Sequence, residues 1–200
     1  MNRELGACGL AVLMAYQCAP AQVIEYVSNG MKYQTLTRSG ITVIFTHLPQ
    51  HLHEYTAVQA AISNGSEAPY VIHPEDFSFV RNDGTVFKAV ATRVVIDMLM
   101  QKGNGDDVRK LVNTYEAGVY GNTHFKSNNG YEARRQSALA MNGSRLRAAT
   151  AASAIALVTT KLNPGDTTDG AVFFASEGKP LTGGKVVVRT NTDVFEFNVE

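Results

Sequence analysis

Leu162 to Phe174, read as L-N-P-G-D-T-T-D-G-A-V-F-F, is the stretch that decides the fold. Proline presets φ and glycine accepts a positive φ, so Pro164-Gly165 predicts a tight turn. Ala171, Val172, Phe173 and Phe174 then form a short, wholly apolar run of the kind that fills a sheet interior. A turn feeding a buried strand predicts a β-sandwich core around this point.

Strand signals spread outward from it. Downstream, Lys185 to Arg189 and Val194 to Val199 read as strands, and in the second Phe195, Phe197 and Val199 alternate with Glu196 and Asn198, as in a strand with one wet face. Upstream, Val23 to Val27 and Lys32 to Arg38 flank the turn Ser28-Asn29-Gly30, and Ser39-Gly40 precedes the β-branched run Ile41 to Phe45. Glu54 to Asn64 alternates with Val58, Ala60 and Ile62 on one face and ends at Asn64-Gly65-Ser66. Phe77 and Phe79 point one way, Asn82-Asp83-Gly84 makes a hairpin turn, and Thr85-Val86-Phe87 returns.

Between these strand groups the period changes. Ala91, Val94, Val95, Met98 and Leu99 recur at helical spacing up to Gly103-Asn104-Gly105. Asp106 or Asp107 is the expected cap of a second helix bearing Val108, Leu111, Val112, Tyr115 and Val119. A Gly- and Asn-rich loop, Gly121 to Gly130, leads to a polar third helix, Tyr131 to Met141, and an alanine-rich fourth, Leu146 to about Ala156. Strand signals resume near Ile155 to Leu162. Residues 22–200 therefore read as one mainly β domain with a helical insertion of about four helices at about 91–157.

The N-terminus has a different character. Arg3 precedes the apolar run Leu5 to Tyr16, and Ala19-Pro20-Ala21 has the small-x-small pattern of a signal-peptide cleavage site, so residues 1–21 are expected to be removed before Gln22. A lipid-modified Cys18 is the weaker alternative, because Tyr16 and Gln17 stand where small residues are wanted. Both cysteines, Cys8 and Cys18, lie in this segment, which leaves a mature chain without disulfides or a thiol nucleophile. Acidic and basic residues balance at 18 each, so no global field attracts nucleic acid or an anionic membrane. With no membrane span expected in the mature chain, the reading is soluble export to a bacterial periplasm or the exterior.

Asn64-Gly65, Pro74-x-Asp76-Phe77-x-Phe79, Asp83-Gly84-x-x-Phe87, Leu162-x-Pro164-Gly165 and Gly170-x-Val172-x-Phe174 together resemble the telokin-like, immunoglobulin-like sandwich domains of exported bacterial proteins. The resemblance covers residues 54 to 90 and 158 to 199 and implies an immunoglobulin-like antiparallel β-sandwich. Its motifs are turn and core residues, so it implies a fold and no reactive site. A plain sandwich has no need of the helical segment Ala91 to Ala156.

The reactive residue types are sparse. His47, His51 and His53 crowd the segment T-H-L-P-Q-H-L-H-E, with His73, Glu75 and Asp76 downstream, but the spacing matches no zinc motif and His53-Glu54-x-x-Ala57 lacks the second histidine of a zincin helix. Solvated loop histidines are the expectation, and no cofactor or metal is assigned. Gly178 to Lys185 resembles a phosphate loop only in composition: a strand follows rather than a helix, so it reads as a β-turn. Lys126, Arg134, Arg135, Arg145 and Arg147 make the helical region locally basic, either as a solvated face or, for Lys126, Arg134, Arg135 and Arg145, as a surface for a partner.

Three classes of function stay open on these grounds. The leading one is a non-enzymatic exported module that binds a protein partner in the cell envelope. The others are a structural envelope protein, and a metal- or ligand-binding enzyme using the His47, His51 and His53 region.

Overall fold

The computed structural model describes residues 22–121 and 129–200. The chain opens with β1 (Ile24–Ser28), β2 (Met31–Arg38), β3 (Ile41–Leu52) and β4 (Tyr55–Asn64), each hairpin closing on a short turn. β5 (Tyr70–Ile72) and a helical turn, Pro74–Asp76, lead to the hairpin of β6 (Phe77–Arg81) and β7 (Val86–Val90). Four helices follow: α1 (Thr92–Lys102), α2 (Gly105–Gly121), α3 (Tyr131–Leu139) and α4 (Ser144–Ile155). β8 (Thr160–Leu162), β9 (Thr167–Ala175), β10 (Gly184–Arg189) and β11 (Val194–Val199) complete the chain.

Nine strands form one sheet in the order β1-β2-β3-β4-β9-β7-β6-β10-β11, while β5 and β8 pair separately. All these strand pairs are antiparallel. The sheet curls at its middle, where β7 meets β9 only through Ala89–Phe174 and Val90–Phe173. Its far strands consequently face each other: Phe45 stacks on Phe197 at 5.4 Å, and Gln34 Nε2 donates to Asn198 O at 2.7 Å.

Two main cores result, one on each face of the β3-β4-β9 region, beside a smaller cluster of Tyr33, Ile44 and Ala61. Inside the curl, Val43, Phe45, Val58, Ile62, Val172 and Phe174 meet Phe77, Phe79, Val186, Val188, Phe195 and Phe197. On the outer face, Tyr55, Ala171 and Phe173 carry the helical layer. Successive side chains on a strand point to opposite faces, so a strand covered on both sides must be apolar at every position. That is why Ala171 to Phe174 shows no alternation.

The helical layer is built around α4, on which α1, α2 and α3 all pack. Ala148, Ala149, Ala151, Ala152 and Ala154 are buried there, and their small side chains let neighbouring helices approach closely. Glycine serves the same end where α2 lies on the sheet. A Cβ at Gly118 would stand 2.0 Å from Gln59 Oε1 and 3.3 Å from Leu48 Cδ2, so its absence lets the helix lie close over β4 without displacing the Gln59 side chain.

The structure departs from the sequence expectations in four places. The second helix is capped by Asn104, whose Oδ1 accepts from the backbone N–H of Asp106 (2.8 Å) and Asp107 (3.1 Å). Asp107 bonds back to the N–H of Asn104 at 2.9 Å, a reciprocal box that neither aspartate could form as the cap itself. Val94 lies outside the buried stripe of Val95, Met98 and Leu99 and is 47% exposed. Ile155 ends α4 instead of opening a strand, because it continues the helix's buried face. Finally, β3 runs on to Leu52 and takes in His47 and His51.

Candidate binding cleft

The helical layer and the sheet leave a cleft of about 520 Å³ between β8, the start of β9 and the approach to α3. Asn129, Arg134, Val158, Lys161, Asp166 and Asp169 contribute to its walls. The Pro164-Gly165 turn forms its rim, with Gly165 at φ +84° and Asp166 N–H donating to Asn163 O at 2.9 Å.

The carboxylates of this cleft are engaged by their own neighbours. Asp169, 5% exposed, accepts from the Tyr115 hydroxyl through Oδ2 and from Asn129 Nδ2 at 2.8 Å through Oδ1. Burial, then the charge of Asp169, pushes the Tyr115 hydroxyl well above its ordinary value, so it stays protonated and donates. Asp166 Oδ2 accepts from the N–H and Nδ2 of Asn163 at 2.8 and 3.0 Å.

The cations are left with donors to spare. Arg134 crosses from α3 to the end of α4, where Nε donates to Ala154 O at 3.1 Å and Nη1 donates to Asn129 O. A guanidinium carries further N–H groups beyond these, and among the described residues no acceptor bonds Nη2. Lys161 is exposed and has no ion-pair partner among the described residues.

Of the four basic residues expected at a partner surface, the three among the described residues do not form one patch. Arg135 is turned toward α2 and pairs with Glu116, which also accepts from the Tyr131 hydroxyl at 3.0 Å. Arg145 is exposed in the first turn of α4. That places it nine residues from Ala154, about 13 Å along the helix axis from the Arg134 guanidinium's anchor. Lys126 lies outside the described residues, as do the expected signal segment 1–21 and its cysteines.

The three clustered histidines are separated as well: His47 and His51 lie on β3 rather than in a loop, and His53 lies in the turn that follows. His47 is partly buried on β3 and lines a different cleft, of about 430 Å³, with Lys32, Gln34 and Thr182. A register shift between His47 and His51 breaks the strand's regular alternation, and His51 is exposed near Lys110 of α2. His53 holds φ +53° in the β3–β4 turn and donates through Nε2 to Asp107 Oδ2 at 3.0 Å. Asp107 is 2% exposed, so this bond ties a surface turn to a buried carboxylate in the first turn of α2. Nothing in the spacing T-H-L-P-Q-H-L-H-E could show a partner 54 residues away.

His73 and Asp76 cap the Pro74–Asp76 helical turn, with Asp76 Oδ2 accepting from His73 N–H at 2.8 Å. Among the described residues no group of three or more His, Cys, Asp or Glu side chains is placed to hold a metal ion. The segment Gly178 to Lys185 is a turn region as expected, with positive φ at Gly178 and Gly183 before β10 begins at Gly184. Comparison with protein-family models, with curated proteins and with solved structures finds no match to this chain.

Proposed function

We propose that this protein is an exported, non-enzymatic module that binds a protein partner in the cell envelope, an immunoglobulin-like β framework whose helical layer supplies the recognition surface. The observation that carries the reading is Arg134, positioned over the cleft by Ala154 O and Asn129 O while both cleft carboxylates are engaged elsewhere. A guanidinium fixed by two backbone carbonyls loses little freedom when it meets a ligand. Ordering four helices costs backbone entropy that a β core closed by its own strands does not require. Placing such a surface on a rigid scaffold is a common reason to retain the extra elements.

Two further points support the binding reading over an enzymatic one. The His53–Asp107 pair resembles the base-orienting half of a catalytic triad, yet within the described residues no hydroxyl hydrogen-bonds to His53. Its carboxylate also caps a helix. The export part of the proposal rests on the Met1 to Ala21 sequence. Among the described residues no helix is long and apolar enough to cross a membrane.

The test joins localisation to capture. Mass spectrometry of the protein recovered from its native envelope should find Gln22 as the first residue; an intact Met1 or a lipid on Cys18 contradicts the export reading. Affinity capture from envelope extract should lose its partner when Arg134 and Arg145 are changed to Glu, and keep it when Glu196 and Asn198 on β11 are changed to Lys. Arg135 is left alone because its loss would strand Glu116. Capture that survives the first pair and fails with the second places recognition on the sheet and removes the proposal.

A further inference from the structure

We infer that the free edge of β1 pairs antiparallel with β1 of a second copy of this chain, about a two-fold axis at Tyr26, so that two nine-stranded sheets join into one. Among the described strands β1 is bonded to β2 alone. Its hairpin settles which groups it presents. Asn29 and Gly30 hold φ +49° and +76°, the pair of positive angles of a type I′ turn. Ser28 and Met31 are therefore a hydrogen-bonded pair, and the bonding alternates back through Tyr26–Tyr33 and Ile24–Thr35. Glu25 and Val27 consequently both turn N–H and C=O to the free edge. Exposed edges are commonly guarded by proline, lysine or a bulge. β1 contains no proline or lysine, its register with β2 is unbroken, and Ile24 and Val27 are 61% and 72% exposed. The sheet's other outer strand is guarded: the curl lays β11 against β2 and β3, and Gln34 Nε2 holds Asn198 O.

Register and charge select a copy as the occupant. Antiparallel hydrogen-bonded pairs set one outward-turned residue opposite another. When β1 overlaps its counterpart over its whole length, Glu25 faces Val27 of the second copy and Val27 faces Glu25 of the second copy, so every outward group is bonded. Sliding by two residues one way sets Glu25 against Glu25, like charges directly opposite. Sliding the other way sets it against Asn29 in the turn. In the full-overlap register Val27 lies in one row between Lys32, its own neighbour on β2, and Glu25 of the second copy, so opposite charges flank it. Lys32 also pairs with Glu25 at 3.2 Å within each chain, and the acidic groups enter the seam accompanied. Tyr26, stacked on Tyr33 at 5.1 Å, meets its counterpart in the closer, non-hydrogen-bonded position, where an aromatic pair adds to the ladder. A strand of unrelated sequence would satisfy the backbone groups alone, whereas a copy also brings Glu25 to each Lys32–Val27 row.

Sedimentation equilibrium of the purified protein tests this. One short strand per chain makes a small interface, so a monomer–dimer equilibrium is expected with a dissociation constant of about 10–1,000 µM. Val27→Glu sets like charges directly opposite at both ends of the seam and should weaken association at least about tenfold, with an unchanged unfolding transition. The double variant Glu25→Lys with Val27→Glu sets the new lysine opposite the new glutamate of the second copy and should regain the dimer. Recovery of this kind identifies the register and keeps the test valid if either single variant loosens the hairpin. Amide exchange at Glu25 and Val27 should slow as concentration rises, while that of Tyr26, already bonded to β2, should not change. A monomer throughout the range, a Val27→Glu variant that associates like the wild type, or a double variant that stays monomeric would each overturn the inference. Growth into open polymers instead of a closed dimer would do the same, since it would mean that β1 adds to β11. If envelope capture depends on Arg134 while the protein stays monomeric, the partner-binding reading stands and this inference alone falls.

Discussion

His47 shows how one side chain's burial becomes a property of the whole fold. Desolvation holds its imidazole below the ordinary value of 6.5, so the unfolded chain takes up that proton more readily than the folded chain. Its contribution to stability is therefore present above that value and is lost as pH falls through the folded pKa. Denaturation curves taken at about pH 7 and about pH 5 should show a smaller acid-induced loss in His47→Gln than in the wild type. Equal losses would mean that the imidazole titrates as it does in water. Asp107 makes a different point at the same scale, since a single carboxylate oxygen serves the Asn104 amide and the His53 ring.

Among the elements, β9 is the one most closely fitted to its surroundings. A Cβ at Gly170 would lie 2.3 Å from Leu157 Cα and 2.4 Å from Leu157 N. Those are backbone atoms that cannot swing aside. Gly170→Ala should consequently destabilise the fold by about 1–3 kcal/mol or more, read from the denaturant midpoint; a shift below the scatter of surface changes would show that the α4–β8 connection yields freely.

The end of this strand was legible in the sequence and its beginning was not. Ala171 to Phe174 is apolar at every position because two layers cover it, whereas Thr167 to Gly170 has the composition of a turn and becomes strand only through its pairing with β4. The cleft was less legible still. Arg134 stands out as a cation and Asn129 precedes it by five residues, but Ala154 meets it, and Lys161 and Asp169 join the same cleft, only through tertiary packing. Among the caps, the sequence reading offers Asp106 or Asp107 and passes over Asn104, and the helix start is settled by the reciprocal bonds that Asn104 and Asp107 make.

For the whole molecule, the decisive feature is that β4 and β9 belong to both cores. Phe173 is 1% exposed against the helices and its neighbour Phe174 is 0% exposed inside the curl. Cores sharing a strand cannot melt independently without exposing one face of that strand. Thermal unfolding should follow a single cooperative transition, and Phe173→Ala and Phe174→Ala should each lower that same transition, at a cost of about 3–5 kcal/mol. Two separated transitions, with each variant moving only one, would show that the layers are energetically distinct.

Strand β9 also carries a hazard of misalignment. In a strand with one wet face, sliding by one residue drives polar groups inward, and that penalty enforces the pairing. Here the step would put Phe174 where Phe173 belongs, one large ring for another, so hydrophobic patterning discriminates poorly between the two alignments. What tells them apart is Asp169, whose carboxylate a slip would take from Tyr115 and Asn129, and a missing side chain. Only Gly170 fits beneath the Leu157 backbone, and a slip in either direction would bring the Cβ of Asp169 or Ala171 into that space. A chain folding here is held to its correct alignment in part by a position at which it has nothing to bury.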